Sequence, residues 1–286
     1  SNGKYLGSIT TEIIFKDFSP LVDDDYRLIV AAAVAPHDIE RVRKLSKCVD
    51  AIFIDVAHFH TKKCIEGAKK IINEFEKDVV VGNVGTYEAV VDVITKLDRI
   101  GGLRVGIASG SICLTGVVTG IAAPTLYAVA SARDALEDYG ASNIPIIADG
   151  GIRTPGDAAK ALAVGASSVM LGRALAGTEE ACSPLIRVGN KLYKLYRGMA
   201  SPGAISKRYS VDRYSPTVKK IAEGVEGLVP YKGSVIQVVS EFKAGLQAAL
   251  GYVGARNIVE FWAKAKLALI TNTGTQEVSP HSILLE

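Results

Sequence analysis

The sequence predicts an α/β fold, the TIM-type (β/α)8 barrel, and three observations predict it. Short apolar runs recur with helical patterns between them, the order expected of a parallel sheet. The runs are apolar at consecutive positions, as strands covered on both faces are. Polar or glycine residues close them, namely Asp55, Asn83, Gly106, Asp149 and Gly172. In such a barrel the loops after the strands carry the chemistry.

Taken in order, the runs are RLIVAAAV from Arg27, AIFIDVA from Ala51, VVVGNVG from Val79, LRVGIA from Leu103, IPIIADGG from Ile144 and SSVMLG from Ser167. Segments such as DIERVRKLSK, TKKCIEGAKKIINEFEK and TPGDAAKALAVG lie between them, with apolar residues at helical spacing. That makes six strands where a closed barrel has eight. The shortfall lies at the N-terminus, since residues 1–20 hold one strand-like run and no βα unit. Barrel sequence therefore occupies residues 21–286. Within it, residues 183–232, rich in Tyr, Arg, Gly and Ser, read as a long flap. Residues 234–265 read as amphipathic helix with a break at GYVG, followed by a tail to residue 286.

Composition narrows the function. A chain of 286 residues with 48% hydrophobic and 22% charged residues has the make-up of a globular domain. A net charge of +3 suits small anionic ligands and is too mild for nucleic acid. No apolar run reaches the roughly 18 residues of a membrane span, and no signal-peptide pattern is present. Four cysteines, Cys48, Cys64, Cys113 and Cys182, are widely spaced and form no CxxC pair. This points to a reducing cytoplasm rather than to a disulfide framework or a structural zinc site. His58 and His60 share one face of a strand but have no third ligand nearby, so packing or surface roles are expected of them.

Two stretches carry chemistry. In ADGGIRTPGDAAKALAVGASSVMLGRALAG, glycines follow two successive strands. The loops after the last strands of a barrel commonly bind phosphate through backbone N–H groups. Glycine permits the close approach that a Cβ would block. Asp149, at a strand end, can accept hydrogen bonds from a ribose diol. In RVGIASGSICLTG, Cys113 lies among Gly106, Ser109, Gly110, Ser111 and Thr115. Backbone N–H groups there can stabilise a thiolate nucleophile.

GIASGSICLTGVVTG resembles the cysteine loop of the IMP dehydrogenase/GMP reductase family. The resemblance runs in order through IDVAHFH, GNV, IADGGIRTPGDAAKALAVGASSVMLG, YRGMAS, DRYS, EGVEGLVPYKG and QEVSPH. It implies a TIM barrel, usually tetrameric and often carrying an inserted CBS pair after the second strand. GKYLGSIT resembles the end of such an insert, so the chain would hold strands three to eight. The activity implied is NAD-dependent oxidation of IMP to XMP, with Cys113 as the nucleophile at C2 of the purine and Thr115 near the hydrolytic water. Arg213 and Tyr214 match a mobile Arg-Tyr pair whose arginine activates water. A second Arg-Tyr, Arg208 and Tyr209, lies just upstream.

Asp149 would hold the IMP ribose, and Ser111, Gly151, Gly172 and Tyr196 its phosphate. Gly198, Met199 and Glu223 would meet the base, while Asp55 would bind the nicotinamide ribose with Asn83, Arg104 and Gly106 close by. A potassium ion (K+) would take backbone carbonyls of Gly110 and Cys113, with Glu277, Val278 and Ser279 of a neighbouring subunit.

Several positions depart from the family pattern. Ala108 replaces a glycine, with consequences for the cation if that position needs a positive φ. Gly116 replaces Arg or Gln, and Ala122 and Thr125 also differ. Phe59 replaces a glycine and is expected to alter the dinucleotide pocket. Arg173 stands where Ser or Gly is common. GMP reductase, which lacks the Arg-Tyr pair, is the principal rival reading. An FMN-dependent barrel oxidoreductase would leave Cys113 unexplained. A barrel that binds IMP without turning it over is the third alternative.

Overall fold

The computed structural model describes residues 22–206 and 221–280. Its centre is a six-stranded parallel sheet: β1 (Ala31–Val34), β2 (Ala51–Asp55), β3 (Asp78–Val84), β4 (Gly102–Val105), β5 (Ile146–Asp149) and β6 (Ser168–Met170), each paired with its predecessor. Between them run α1 (Ile39–Leu45), α2 (Lys62–Glu74), α3 (Tyr87–Lys96), α4 (Thr115–Thr119), α5 (Thr125–Asp138) and α6 (Pro155–Ala163). Crossovers of one hand between strands in sequential order put the helices on a single face. That singly wound arrangement is the wall of a (β/α) barrel, here six of its strands.

Alternation along the strands separates the two faces. Ile52, Ile54, Ile146 and Ala148 are buried in the main core, while Phe53, Asp55, Ile147 and Asp149 are half-buried. Among the described residues β1 and β6 are the sheet edges, with Leu28, Ile29, Val30 and Met170 exposed beside or on them. A closed barrel has no such edges.

The helices start where side-chain acceptors are available. Asp38, Thr61, Thr86 and Thr154 each take a backbone N–H at the head of α1, α2, α3 and α6. At α6 the exchange is reciprocal. The Asp157 N–H donates to Thr154 Oγ1 (3.2 Å), and the Thr154 N–H donates to Asp157 Oδ2 (3.1 Å). Burial pushes the Asp157 carboxyl up. The Arg153 N–H, the Thr154 hydroxyl and the charges of Lys160 and Arg153 outweigh it and hold the group below the usual aspartate value.

After β6 come α7 (Arg173–Ala176), β7 (Leu185–Val188), β8 (Lys191–Arg197), α8 (Pro202–Ser206) and β9 (Glu226–Pro230). The segment expected to be a flap thus holds a three-stranded antiparallel sheet. Its signal is local: Gly189 and Asn190 make a two-residue turn between Val188 and Lys191, with Gly189 at φ +58°. The chain continues as α9 (Val235–Val253) and α10 (Ile258–Lys264), which pack on α6, and ends in α11 (Asn272–Glu277). The break expected at GYVG is the left-handed cap Gly254. No helix among the described residues is long and apolar enough to cross a membrane.

Three of the departures from the family pattern, Ala108, Gly116 and Ala122, meet beyond β4. Ala108 sits at φ +60°, a conformation that costs a residue with a Cβ about 1 kcal/mol or more. A Cβ placed on Gly116 would lie 3.3 Å from the Cβ atoms of both Ala108 and Ala122. The glycine at 116 therefore leaves room for the methyl at 108.

Gly116→Val should cost about 1–3 kcal/mol through overpacking, and less in an Ala108→Gly background. Additive losses in urea unfolding would refute that coupling. Thr154→Ala should cost about 1 kcal/mol. Because the Asp157 pKa falls on folding, its contribution is present above the unfolded value of about 4 and is lost as pH falls through the lower folded value. The gap between wild type and Asp157→Asn in unfolding free energy should therefore close in acid.

Candidate active site

Three strand ends are joined by one guanidinium. Asp55 ends β2, Gly82 is its register partner in β3, and Arg104 is the partner of Gly82 in β4. A Cβ on Gly82 would lie 2.6 Å from the Arg104 Cβ, so the missing side chain is what lets Arg104 lie across β3. Arg104 donates to Asp55, and its Nη2 lies 2.9 Å from Asp149 Oδ2 at the end of β5. Asn83 Nδ2 also donates to Asp149 Oδ2 (2.7 Å) and to the Gly106 carbonyl (2.6 Å). Two carboxylates that would repel each other are held side by side by a shared cation.

The loop after β4 seats directly on β5. Gly106 is at φ +112°, and a Cβ there would fall 2.3 Å from the Asp149 carbonyl oxygen. The Thr125 hydroxyl donates to the carbonyls of Asp149 (2.9 Å) and Gly150 (2.8 Å). Thr125, a departure in sequence, thus fixes the strand end that carries Asp149. Sequence reading missed this role because the partners lie more than twenty residues downstream.

Cys113 is tied to a distant segment. Its thiol donates to Thr115 Oγ1 (3.3 Å), and that hydroxyl donates to Glu223 Oε2 (2.9 Å). Thr115 and Glu223 are both buried. Backbone bonds hold this line in place: the Leu114 N–H donates to the Glu223 carbonyl (2.7 Å), and the Val225 N–H to that of Ile112 (3.0 Å). The Gly198 N–H in turn donates to the Val225 carbonyl (3.0 Å).

These groups share one cavity of about 210 Å³, lined by Asp55, Asn83, Arg104, Gly106, Gly110, Cys113, Thr115, Asp149, Gly198, Met199 and Glu223. Eleven sequence-predicted residues from six chain segments converge there. The phosphate set is placed elsewhere. Gly151 lines a neighbouring cavity of about 330 Å³, Ser111 is exposed, and Gly172 and Tyr196 line a third of about 520 Å³. Burial and the charge of Asp149 raise the Tyr196 phenol, with Arg173 opposing them. Glu277 and Ser279 are exposed and Val278 largely so, at and just beyond the end of α11. Arg208, Tyr209, Arg213 and Tyr214 lie outside the described residues.

Phe59 corrects an expectation. It is fully buried in the hydrophobic core and does not line the cavity. An aromatic ring there fills space under the sheet instead of shaping a ligand pocket. His60 Nε2 lies 2.8 Å from Asp92 Oδ2, and burial together with His60 lowers His58.

Comparison with known proteins gives the family. The family model described as IMP dehydrogenase / GMP reductase domain matches residues 16–281. An inosine-5′-monophosphate dehydrogenase of Korarchaeum cryptofilum is 54% identical over 99% of this chain and 60% of its own length. That of Methanocaldococcus jannaschii is 46% identical over 92% of this chain and 55% of its own. The chain therefore spans little more than half the length of these curated relatives. The crystal structure of a Cys-to-Ala variant of Trypanosoma brucei GMP reductase, in complex with guanosine 5′-monophosphate, superposes with a TM-score of 0.82 at 34% identity. It covers 92% of this chain, and this chain covers 54% of it. Matched along nearly its whole length, and with Cys113 and both strand-end carboxylates drawn into one cavity, the chain belongs to the IMP dehydrogenase / GMP reductase family.

Proposed function

We propose that the intact protein oxidises IMP to XMP with NAD, in guanine nucleotide synthesis in the cytoplasm. The observation that carries this reading is the line from Cys113 through Thr115 to Glu223, opening into the cavity that holds Asp55 and Asp149. A thiolate that adds to C2 of the purine turns an unreactive ring C–H into a hydride donor and divides the reaction in two. In this reading Thr115 takes the thiol proton as it passes its own to Glu223, which the two hydrogen bonds support. In the second half water displaces Cys113 at C2, releasing XMP and returning the thiol. Glu223, having lost the first proton to solvent, takes the water's proton through Thr115 and returns one to the Cys113 sulfur as it leaves, so that one proton is released overall. By resemblance Arg213 and Tyr214 join this step.

Asp149, oriented by Arg104 and Asn83, presents acceptor oxygens to the ribose diol of IMP. Gly198 and Met199 face the base together with Glu223. The residues present also fit the nicotinamide riboside of NAD. Asp55 is held open to the same cavity by Arg104, beside Asn83 and Gly106. When bound there, NAD accepts the hydride.

A potassium ion would take carbonyls of Gly110 and Cys113, with Glu277, Val278 and Ser279 from a second copy in a tetramer. The left-handed backbone at Ala108 supports this, because the loop keeps a conformation ordinarily left to glycine. The exposure of residues 277–279 leaves them available to another copy.

The second reading, reduction of GMP with NADPH, is favoured by the solved GMP reductase relative. The identity of 54% to a curated IMP dehydrogenase favours oxidation. An assay of the intact protein separates them. NADH should form from IMP and NAD in the presence of potassium, and no NADPH should be consumed with GMP. IMP binding with neither reaction would leave an inactive nucleotide-binding barrel. Cys113→Ala should lower turnover by about a thousandfold or more. Thr115→Val, which keeps the volume but removes the hydroxyl, should lower kcat about a hundredfold with little change in IMP affinity. A loss confined to KM would remove Thr115 from the proton path.

A further inference from the structure

Gly198, Met199 and Ala200 line the cavity that holds Cys113. They follow β8 and precede α8, so neither element holds them still. A loop that meets a purine edge binds more tightly if it is fixed before the ligand arrives, because its freedom is then not lost in the binding step. On one side, backbone bonds fix it. The Gly198 N–H donates to the Val225 carbonyl (3.0 Å), and the Glu223 N–H donates to that of Ala200 (3.1 Å).

On the other side, one carboxylate brackets the loop. Glu226 opens β9 and is the register partner of Arg197, which ends β8. Its Oε2 accepts from Arg197 Nε (2.8 Å), just before the loop. Its Oε1 accepts from the Ser201 hydroxyl (3.1 Å) and the Gly203 N–H (2.7 Å), just after it. Ser201 is fully buried, and its hydroxyl oxygen takes the Ala204 N–H (3.3 Å), so the first turn of α8 hangs from the same carboxylate. Burial pushes the Glu226 carboxyl up, but the bonds from Arg197, Gly203 and Ser201 outweigh it and hold the group below the usual glutamate value. The approach needs a glycine, since a Cβ on Gly203 would fall 2.2 Å from Glu226 Oε1. Arg197 and Glu226 stand outside the cavity lining, with side chains 28% and 26% exposed. An ion pair this open to solvent adds little to stability. What it does is fix both ends of the loop to one point on β9.

We propose that Glu226 is a positioning residue for purine recognition. Clasped by Arg197, its carboxylate fixes Gly198, Met199 and Ala200 against the cavity and so sets the affinity for the base of the nucleotide. This rests on the reading of Gly198 and Met199 as base contacts.

The test is calorimetric titration of the intact protein with IMP and with ribose 5-phosphate, which lacks the base. Wild type is compared with Glu226→Ala, Glu226→Gln and Gly203→Ala. Wild type should bind IMP far more tightly than ribose 5-phosphate. Glu226→Ala should weaken IMP about tenfold, the scale of an ordering cost returned to the binding step, and leave ribose 5-phosphate unchanged. Glu226→Gln keeps an acceptor oxygen and should recover part of the loss. Gly203→Ala suits a helix better than glycine does and leaves the charge in place, yet it should displace the carboxylate and weaken IMP as Glu226→Ala does. IMP affinity unchanged in Glu226→Ala would overturn the proposal and leave the base contacts standing. A loss in Glu226→Ala without one in Gly203→Ala would assign the effect to charge instead of loop position, and overturn it. Equal losses for IMP and ribose 5-phosphate would make the clasp a general support, and overturn it as well. A wild type that does not separate the two ligands would overturn the base contacts themselves, and the proposal with them.

Discussion

The site depends on one guanidinium shared by two carboxylates. Asp55 and Asp149 close strands that are not neighbours in the sheet, and β3 and β4 lie between them. Left alone, the two carboxylates would repel each other and favour separation or hydration. Arg104 brings them onto the same cavity wall and orients their oxygens. The bridge exists because Gly82 carries no side chain at the one register position that Arg104 must cross. An ion pair at this depth adds little to stability, because desolvation consumes much of its attraction. Its effect is to hold two sets of acceptor oxygens ready on one cavity wall.

The cysteine loop is held by comparably long-range constraints. It rests on β5 through Gly106 and Thr125, and it is bridged to residues 223–225 by backbone hydrogen bonds on either side of Cys113. That second attachment brings a buried carboxylate within reach of the thiol by way of one hydroxyl. The antiparallel sheet formed by β7, β8 and β9 serves here as a support. It carries Gly198, Met199 and Glu223 over the mouth of the barrel wall.

Departures from a family pattern acquire meaning only in this setting. Ala108 and Gly116 offset each other sterically, so the loop keeps a left-handed turn despite a methyl group. Thr125 ties down a strand end, and Phe59 belongs to the core. Each was visible as a difference in sequence. Its sign depended on which atoms stood opposite.

The sequence by itself determined the strand and helix order, the strand-end positions of Asp55 and Asp149, and the loop that carries Cys113. These follow from local rules: apolar runs, helical spacing, and glycines where backbone must turn or approach closely. The turn at Gly189 and Asn190 is also legible locally. Tertiary structure alone decided the bridge through Arg104, the relay to Glu223, and the clearance between residues 108 and 116. Those contacts join residues 49, 45, 108 and 8 positions apart. No local pattern encodes them, because they are set by strand register and by which backbone segments lack a Cβ at the point of closest approach.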